Sequence, residues 1–102
     1  MINFWLKEMK IDYLAKREFE LNKSLKLSLN PFSAGEMQRL CLIRTFLRNK
    51  QIEVHDEPTS NLDLSATKNI RDIILKRSRN RFTLIATHDP ILINIATKVI
   101  SL

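Results

Sequence analysis

Two stretches of this chain end in residues that could do chemistry together. "IEVHDE" at 52–57 finishes on Asp56 and Glu57, and "FTLIATH" at 82–88 finishes on Thr87 and His88. Both open as short apolar runs that read as strands. In parallel sheets ligands bind beyond the carboxyl ends of the strands, so two neighbouring strands would bring Asp56, Glu57 and His88 to one rim. That set suits metal-assisted hydrolysis. One carboxylate holds Mg²⁺, the other positions or activates water, and the imidazole polarises a phosphate oxygen. Strand ends are also often simply polar, and neither "HDE" nor "THD" taken alone separates the two readings.

A third candidate lies upstream. Ser33 and Glu36 form an S-x-x-E capping box, in which the serine takes an orphan N–H and the glutamate reaches back. Ser33, Ala34 and Gly35 then open a helix whose free N–H groups and hydroxyl make an anion site. An ordinary cap uses the same residues.

The elements that must position these residues follow from periodicity. Residues 2–22 read as a helix, with Ile2, Trp5, Leu6, Met9, Tyr13 and Leu14 at helical spacing. A short element at 24–29 ends before Pro31. The helix from Ser33 runs to about Arg48 on a stripe of Met37, Leu40, Cys41, Ile43 and Leu47, widened by Leu42 and Phe46. Strands are expected at about 52–56, 83–87 and 98–102. Between them lie a helix over about 65–79, with Ile70, Ile73, Ile74 and Leu75 inward, and a short helix at 90–96. This alternation implies a parallel α/β arrangement.

Composition bounds the rest. With 102 residues the chain is one domain or part of one, and an apolar fraction of 44% argues against wholesale disorder. No apolar run approaches the ~20 residues of a membrane span, and the first residues do not read as a signal peptide. The lone Cys41 offers no disulfide framework and reads as a core thiol in a reducing, cytosolic setting. The net charge of +6 is spread along the chain. Its one dense cluster, "KRSRNR" at 76–81, suits a helix C-terminus and a solvated face, so nucleic acid is not expected as a partner. The chain has one glycine, Gly35, where average usage of about 7% would give roughly seven. It therefore holds no glycine-rich phosphate loop.

In order, "FSAGEMQR" (32–39), "IEVHDE", "PTSNLD" (58–63) and "IATHD" (85–89) resemble the C-terminal half of an ABC-type ATPase nucleotide-binding domain. They are similar to its signature motif, Walker B strand with catalytic glutamate, D-loop and switch-histidine loop. The likeness covers about residues 31–102 and implies that residues 1–30 correspond to part of the helical subdomain. The resemblance implies a partial P-loop NTPase-like α/β fold. It divides the chain into a partial helical subdomain with the signature helix (1–49) and a partial ATPase core (50–102). It further implies that Asp56 holds Mg²⁺ through water, that Glu57 positions or activates the attacking water, and that His88 contacts the γ-phosphate. Ser33, Ala34, Gly35 and Glu36 would reach the γ-phosphate of ATP bound to a second nucleotide-binding domain. Ser60, Asn61, Leu62 and Asp63 would cross that interface.

Three departures accompany the likeness. The signature has Ala34 and Glu36 where the family has Gly and Gln. The Walker B strand carries Glu53 and His55 among residues that are usually apolar, so it is expected to be half exposed or to tolerate damage. The P-loop, the glutamine loop and the closing strands of the domain are missing. The resulting expectation is a truncated or split ATP-binding subunit of an ABC transporter, inactive alone. It would be completed by an N-terminal P-loop half and sit at the cytoplasmic face of a membrane through membrane-spanning subunits. The alternatives are a non-catalytic remnant that binds a partner, or an ABC ATPase of DNA repair or translation.

Overall fold

The computed structural model describes residues 1–14 and 32–102. The expected helix segment at 15–22, the element at 24–29 and Pro31 lie outside the described residues. The chain divides into two compact units, Met1–Arg48 and Asn49–Leu102.

In the first unit, α1 spans Ile2–Glu8 and α2 spans Ala34–Arg48. The helix expected over 2–22 is interrupted. Lys10 adopts a left-handed conformation with φ 59°; its N–H bonds the Lys7 carbonyl at 3.0 Å, and the Ile11 N–H bonds that of Leu6 at 2.9 Å. This pair of bonds is a Schellman motif, which satisfies the last carbonyls and turns the chain out of the helix. Glycine usually marks it; a lysine gives no such signal in the sequence. Leu6, Met9, Ile11 and Leu14 are buried, as are Leu42, Ile43 and Phe46 of α2. The rings of Trp5 and Phe46 lie 4.9 Å apart, centre to centre.

The buried stripe of α2 is rotated from the expected one. Leu42, Ile43 and Phe46 carry it, Leu47 is exposed, and Cys41 is exposed rather than a core thiol. The helix ends where Asn49, at φ 50°, takes the left-handed position that asparagine tolerates.

In the second unit, β1 (Ile52–Asp56) and β2 (Phe82–Ala86) pair in parallel, with Ile52 opposite Phe82 and Asp56 opposite Ala86. Parallel pairing needs a crossover. Here it is α3 (Leu64–Arg77) followed by a 3₁₀ turn at Ser78–Asn80. Asp63 caps α3 by accepting the Ala66 N–H at 2.8 Å. Thr67, Ile70 and Ile74 are its buried positions, Ile73 is partly covered, and Leu75 is exposed. The short α4 (Pro90–Ile93) starts on Asp89, buries Leu92, and is shorter than the 90–96 expected.

The expected third strand at 98–102 is not formed, so among the described residues the sheet has two strands. "KVISL" has strand-forming residues, but a strand exists only once its backbone pairs with a neighbour. Among the described residues no helix is long and apolar enough to cross a membrane.

Candidate functional site

β1 is polar on the face it buries. Glu53 and His55 are only 2% and 3% exposed, while their apolar neighbours Ile52 and Val54 are 64% and 60% exposed. A lone buried carboxylate would be costly. Glu53 is not alone. Arg77, from the end of α3, donates to its Oε2 through Nε at 2.9 Å and also through Nη2. Arg81, just before β2, donates to the same oxygen at 3.0 Å, and His55 Nε2 sits 3.2 Å from Oε1.

Burial by itself would raise the Glu53 carboxyl. The hydrogen bond and charge of Arg77, joined by hydrogen bonds from Arg81 and His55, outweigh it and hold the group below the usual carboxylate value. Burial pushes His55 down from histidine's ordinary value; Glu53 opposes this in part and Arg77 adds to it. The departure at Glu53 is therefore compensated rather than damage. Two arginines of the "KRSRNR" cluster are ion-paired inward rather than solvated. An acid where the strand pattern asks for an apolar residue was the signal that some distant cation must reach it.

Beyond β1 the backbone turns sharply. Glu57 has φ 47°, unfavourable for a residue with a Cβ, and its N–H bonds the Ala86 carbonyl at 2.7 Å. That bond extends the ladder one residue past the strand and fixes the Glu57 backbone against the end of β2. His88 Nε2 lies 3.9 Å from Glu57 Oε1, with the imidazole in solvent and Asp56 exposed beside them. Asp56, Glu57 and His88 thus share one rim of the sheet.

A second link across this rim was not read from the sequence. Thr59 Oγ1, buried behind Glu57, donates to Asp89 Oδ2 at 2.8 Å. Asp89 Oδ1 accepts the Ile91 N–H at 3.0 Å, and the Asp89 N–H donates to Thr87 Oγ1 at 2.9 Å. This ties the turn after β1 to the turn after β2. Ser60 follows Thr59, with its N–H on the Glu57 carbonyl at 3.3 Å, and Asn61, Leu62 and Asp63 lead into α3.

Ser33 to Glu36 stand at the start of α2 in the other unit. The capping box is reciprocal: the Glu36 N–H donates to Ser33 Oγ at 3.1 Å, and the Ser33 N–H donates to Glu36 Oε1 at 3.0 Å. Glu36 Oε2 accepts the Tyr13 hydroxyl. Both oxygens of this buried carboxylate are thus engaged, whereas Ser33 and Ala34 are exposed. Arg39 Nη1 reaches the Met9 carbonyl at 3.4 Å, linking α2 to the turn after α1.

Among the described residues, no three His, Cys, Asp or Glu side chains gather as a metal cage. Mg²⁺ does not require one. It is bound through one or two carboxylates with waters and phosphate oxygens completing the shell, and the exposed Asp56 carboxylate fits that use.

No family model matches the chain. Individual relatives do. The chain is 38% identical over 85 residues to the lipoprotein-releasing system ATP-binding protein LolD of Buchnera aphidicola, a match covering 81% of this chain and 37% of that protein. It is 36% identical over 75 residues to LolD of Leptospira interrogans, covering 72% and 32%. Against a phosphate import ATP-binding protein, PstB 3 of Streptococcus pneumoniae, it is 37% identical over 70 residues, covering 69% and 28%. The chain belongs to the ABC-type ATPases. It spans about a third of the length of the LolD proteins it matches. A solved structure described under "Structural biochemistry of ATP-driven dimerization and DNA stimulated activation of SMC ATPases" superposes with a TM-score of 0.59 at 19% identity, covering 69% of this chain and 46% of that one. That likeness establishes the fold: a partial P-loop NTPase-like α/β unit with flanking helices.

Proposed function

We propose that this chain is the signature and Walker B portion of an ATP-binding subunit of an ABC transporter, working in MgATP hydrolysis once a P-loop-bearing half completes the domain. The observation that carries the reading is the rim of the second unit, where Glu57 and His88 stand 3.9 Å apart beside Asp56 at the ends of two parallel strands. Transport, rather than DNA repair or translation, is favoured by relatives whose names tie them to lipoprotein release and phosphate import.

In this reading Asp56 holds Mg²⁺ through water, and the ion would neutralise charge on the β- and γ-phosphates. Glu57 accepts a proton from, or orients, the attacking water. The bond from its N–H to the Ala86 carbonyl sets where its carboxylate can reach. His88 donates to a γ-phosphate oxygen, and its exposure leaves it free to meet one. Ser33, Ala34 and Gly35 offer the α2 N-terminus to ATP held by a second nucleotide-binding domain. Glu36, engaged by Ser33 and Tyr13, serves that turn as its brace. Ser60, Asn61, Leu62 and Asp63 face the same interface, with Asp63 also capping α3. Membrane-spanning subunits would hold the assembly at the cytoplasmic face of a membrane.

A second reading, a non-catalytic fragment that binds a partner, is favoured by one fact: a single glycine leaves no phosphate loop in this sequence. Phosphate release separates the two. The chain alone should show none above background, because backbone N–H groups and the lysine of a glycine-rich loop supply most phosphate affinity. Mixed with a separately expressed P-loop-bearing N-terminal half from a compatible homologue, it should hydrolyse ATP, and Glu57→Gln should abolish turnover while sparing nucleotide binding. A mixture that binds ATP but never turns over supports the non-catalytic reading. Clear activity from the chain alone would overturn the need for a second half.

A further inference from the structure

A glutamate at the third position of a helix suits its own helix and hinders an anionic ligand. Its charge favours the positive end of the dipole, and its carboxylate completes the capping box. The same charge repels a phosphate that approaches the same turn. The start of α2 contains this conflict. The capping box occupies the N–H groups of Ser33 and Glu36, so Ala34 and Gly35 carry the first-turn donors that a phosphate would meet. Glu36 directly follows them.

Tyr13 bears on how that conflict is resolved. The left-handed turn at Lys10 takes the chain out of α1, and the buried Ile11 and Leu14 then anchor the segment, with the Leu14 N–H on the Ile11 carbonyl at 3.0 Å. Tyr13 stands between these anchors and is itself 51% exposed, yet its hydroxyl donates to Glu36 Oε2. Arg39, one turn further along α2, reaches the same segment at the Met9 carbonyl. With Ser33 on Oε1 and Tyr13 on Oε2, the Glu36 carboxylate is drawn onto the segment that follows α1 and is 8% exposed.

We infer that Tyr13 is a positioning residue for the signature turn: its hydroxyl holds the Glu36 carboxylate inward, so that a phosphate reaches Ala34 and Gly35 without meeting the charge. The inference rests on the proposed function, which brings the phosphate of ATP on a second nucleotide-binding domain to this turn. Without the hydroxyl, Oε2 loses that donor and turns toward water, on the side from which the phosphate comes.

The chain has one glycine and one tyrosine, and each reports on this turn. Inorganic tripolyphosphate added to the full chain should shift the Gly35 amide resonance, which no other glycine overlaps. Tyr13→Phe keeps the ring and should weaken that binding by ~threefold or more, through repulsion by the released carboxylate. Two readouts separate this from a merely looser turn. Glu36→Gln added to Tyr13→Phe should restore the affinity at least to that of the unsubstituted chain. The gap between Tyr13→Phe and the unsubstituted chain should also close as salt is raised from ~0.05 to ~0.5 M. Glu36→Gln alone should change the Raman doublet of the tyrosine toward that of a weaker donor, since an amide oxygen accepts less strongly than a carboxylate.

Equal affinity of Tyr13→Phe and the unsubstituted chain overturns the inference. So does a loss that Glu36→Gln does not restore or salt does not screen, an unchanged Raman doublet, or a Gly35 amide that tripolyphosphate never shifts. Hydrolysis by the mixture with a P-loop-bearing half is read separately. Restored hydrolysis without a Tyr13 effect leaves the proposed activity standing and removes Tyr13 from it. The expected Tyr13 effect without hydrolysis supports the role of Tyr13 at the turn and counts against the activity.

Discussion

Glu53 shows how one residue can look misplaced in a sequence and be structurally required. Its carboxylate is buried against Arg77, Arg81 and His55, so removing its charge takes the shared counter-charge away from two neighbouring guanidinium groups. Breaking a buried pair by deleting one partner costs about 3–5 kcal/mol. Glu53→Gln should therefore lower the urea midpoint of the chain sharply, whereas Asp72→Asn, removing an exposed carboxylate that pairs with its neighbour Arg71, should change it little. The same cluster sets a pH dependence. His55 resists protonation in the folded state, while the unfolded chain takes up the proton near the ordinary value of 6.5. The stability contributed by neutral His55 is complete above 6.5 and declines as pH falls below it. Glu53 acts in the same direction lower down: its folded value is depressed, so its contribution holds above the ordinary carboxylate value of 4.5 and is lost as pH falls through the folded one. Urea midpoints measured from pH 8 downward should begin to drop below pH 6.5, and His55→Asn should flatten that first drop.

At the scale of elements, capping decides where helices begin, and sequence shows caps well. The capping box of Ser33 and Glu36 was readable from their spacing, and both of its hydrogen bonds are present. Asp63 does the same for α3, which gives it a structural role beside any at an interface. Asp63→Ala should cost about 1 kcal/mol, seen as a lower thermal midpoint, and Asp63→Ser should recover most of it. Helix ends were harder to read. The break after α1 depends on Lys10 in a left-handed conformation, and nothing in a lysine announces it. The failure of 98–102 to form a strand has a similar origin, because pairing is a property of a neighbour rather than of the segment.

For the whole molecule, charge is the quantity that invites a test. A net +6 suggests nucleic-acid binding, but Arg77 and Arg81, from its densest basic cluster, are occupied by Glu53. Binding to duplex DNA should be weak, indifferent to sequence and lost between ~50 and ~200 mM salt. Fluorescence anisotropy with two unrelated duplexes checks this. Tight, sequence-selective binding at physiological salt would favour the DNA-repair alternative.

By itself the sequence determined the parallel strand–helix alternation around Asp56, Glu57 and His88, the start of α2 and the family. Each of these is written in short-range patterns: period-two runs, cap spacing and motif order. Only the tertiary structure decided which face of β1 is buried, because alternation says that two faces differ and not which one meets the crossover. It also decided that Cys41 is exposed, since helical spacing marks a broad apolar stripe and not which edge of it is covered. The partners of Glu53 were legible only as a need. Arg77 and Arg81 lie 24 and 28 residues away, and chain folding alone brings them to the carboxylate.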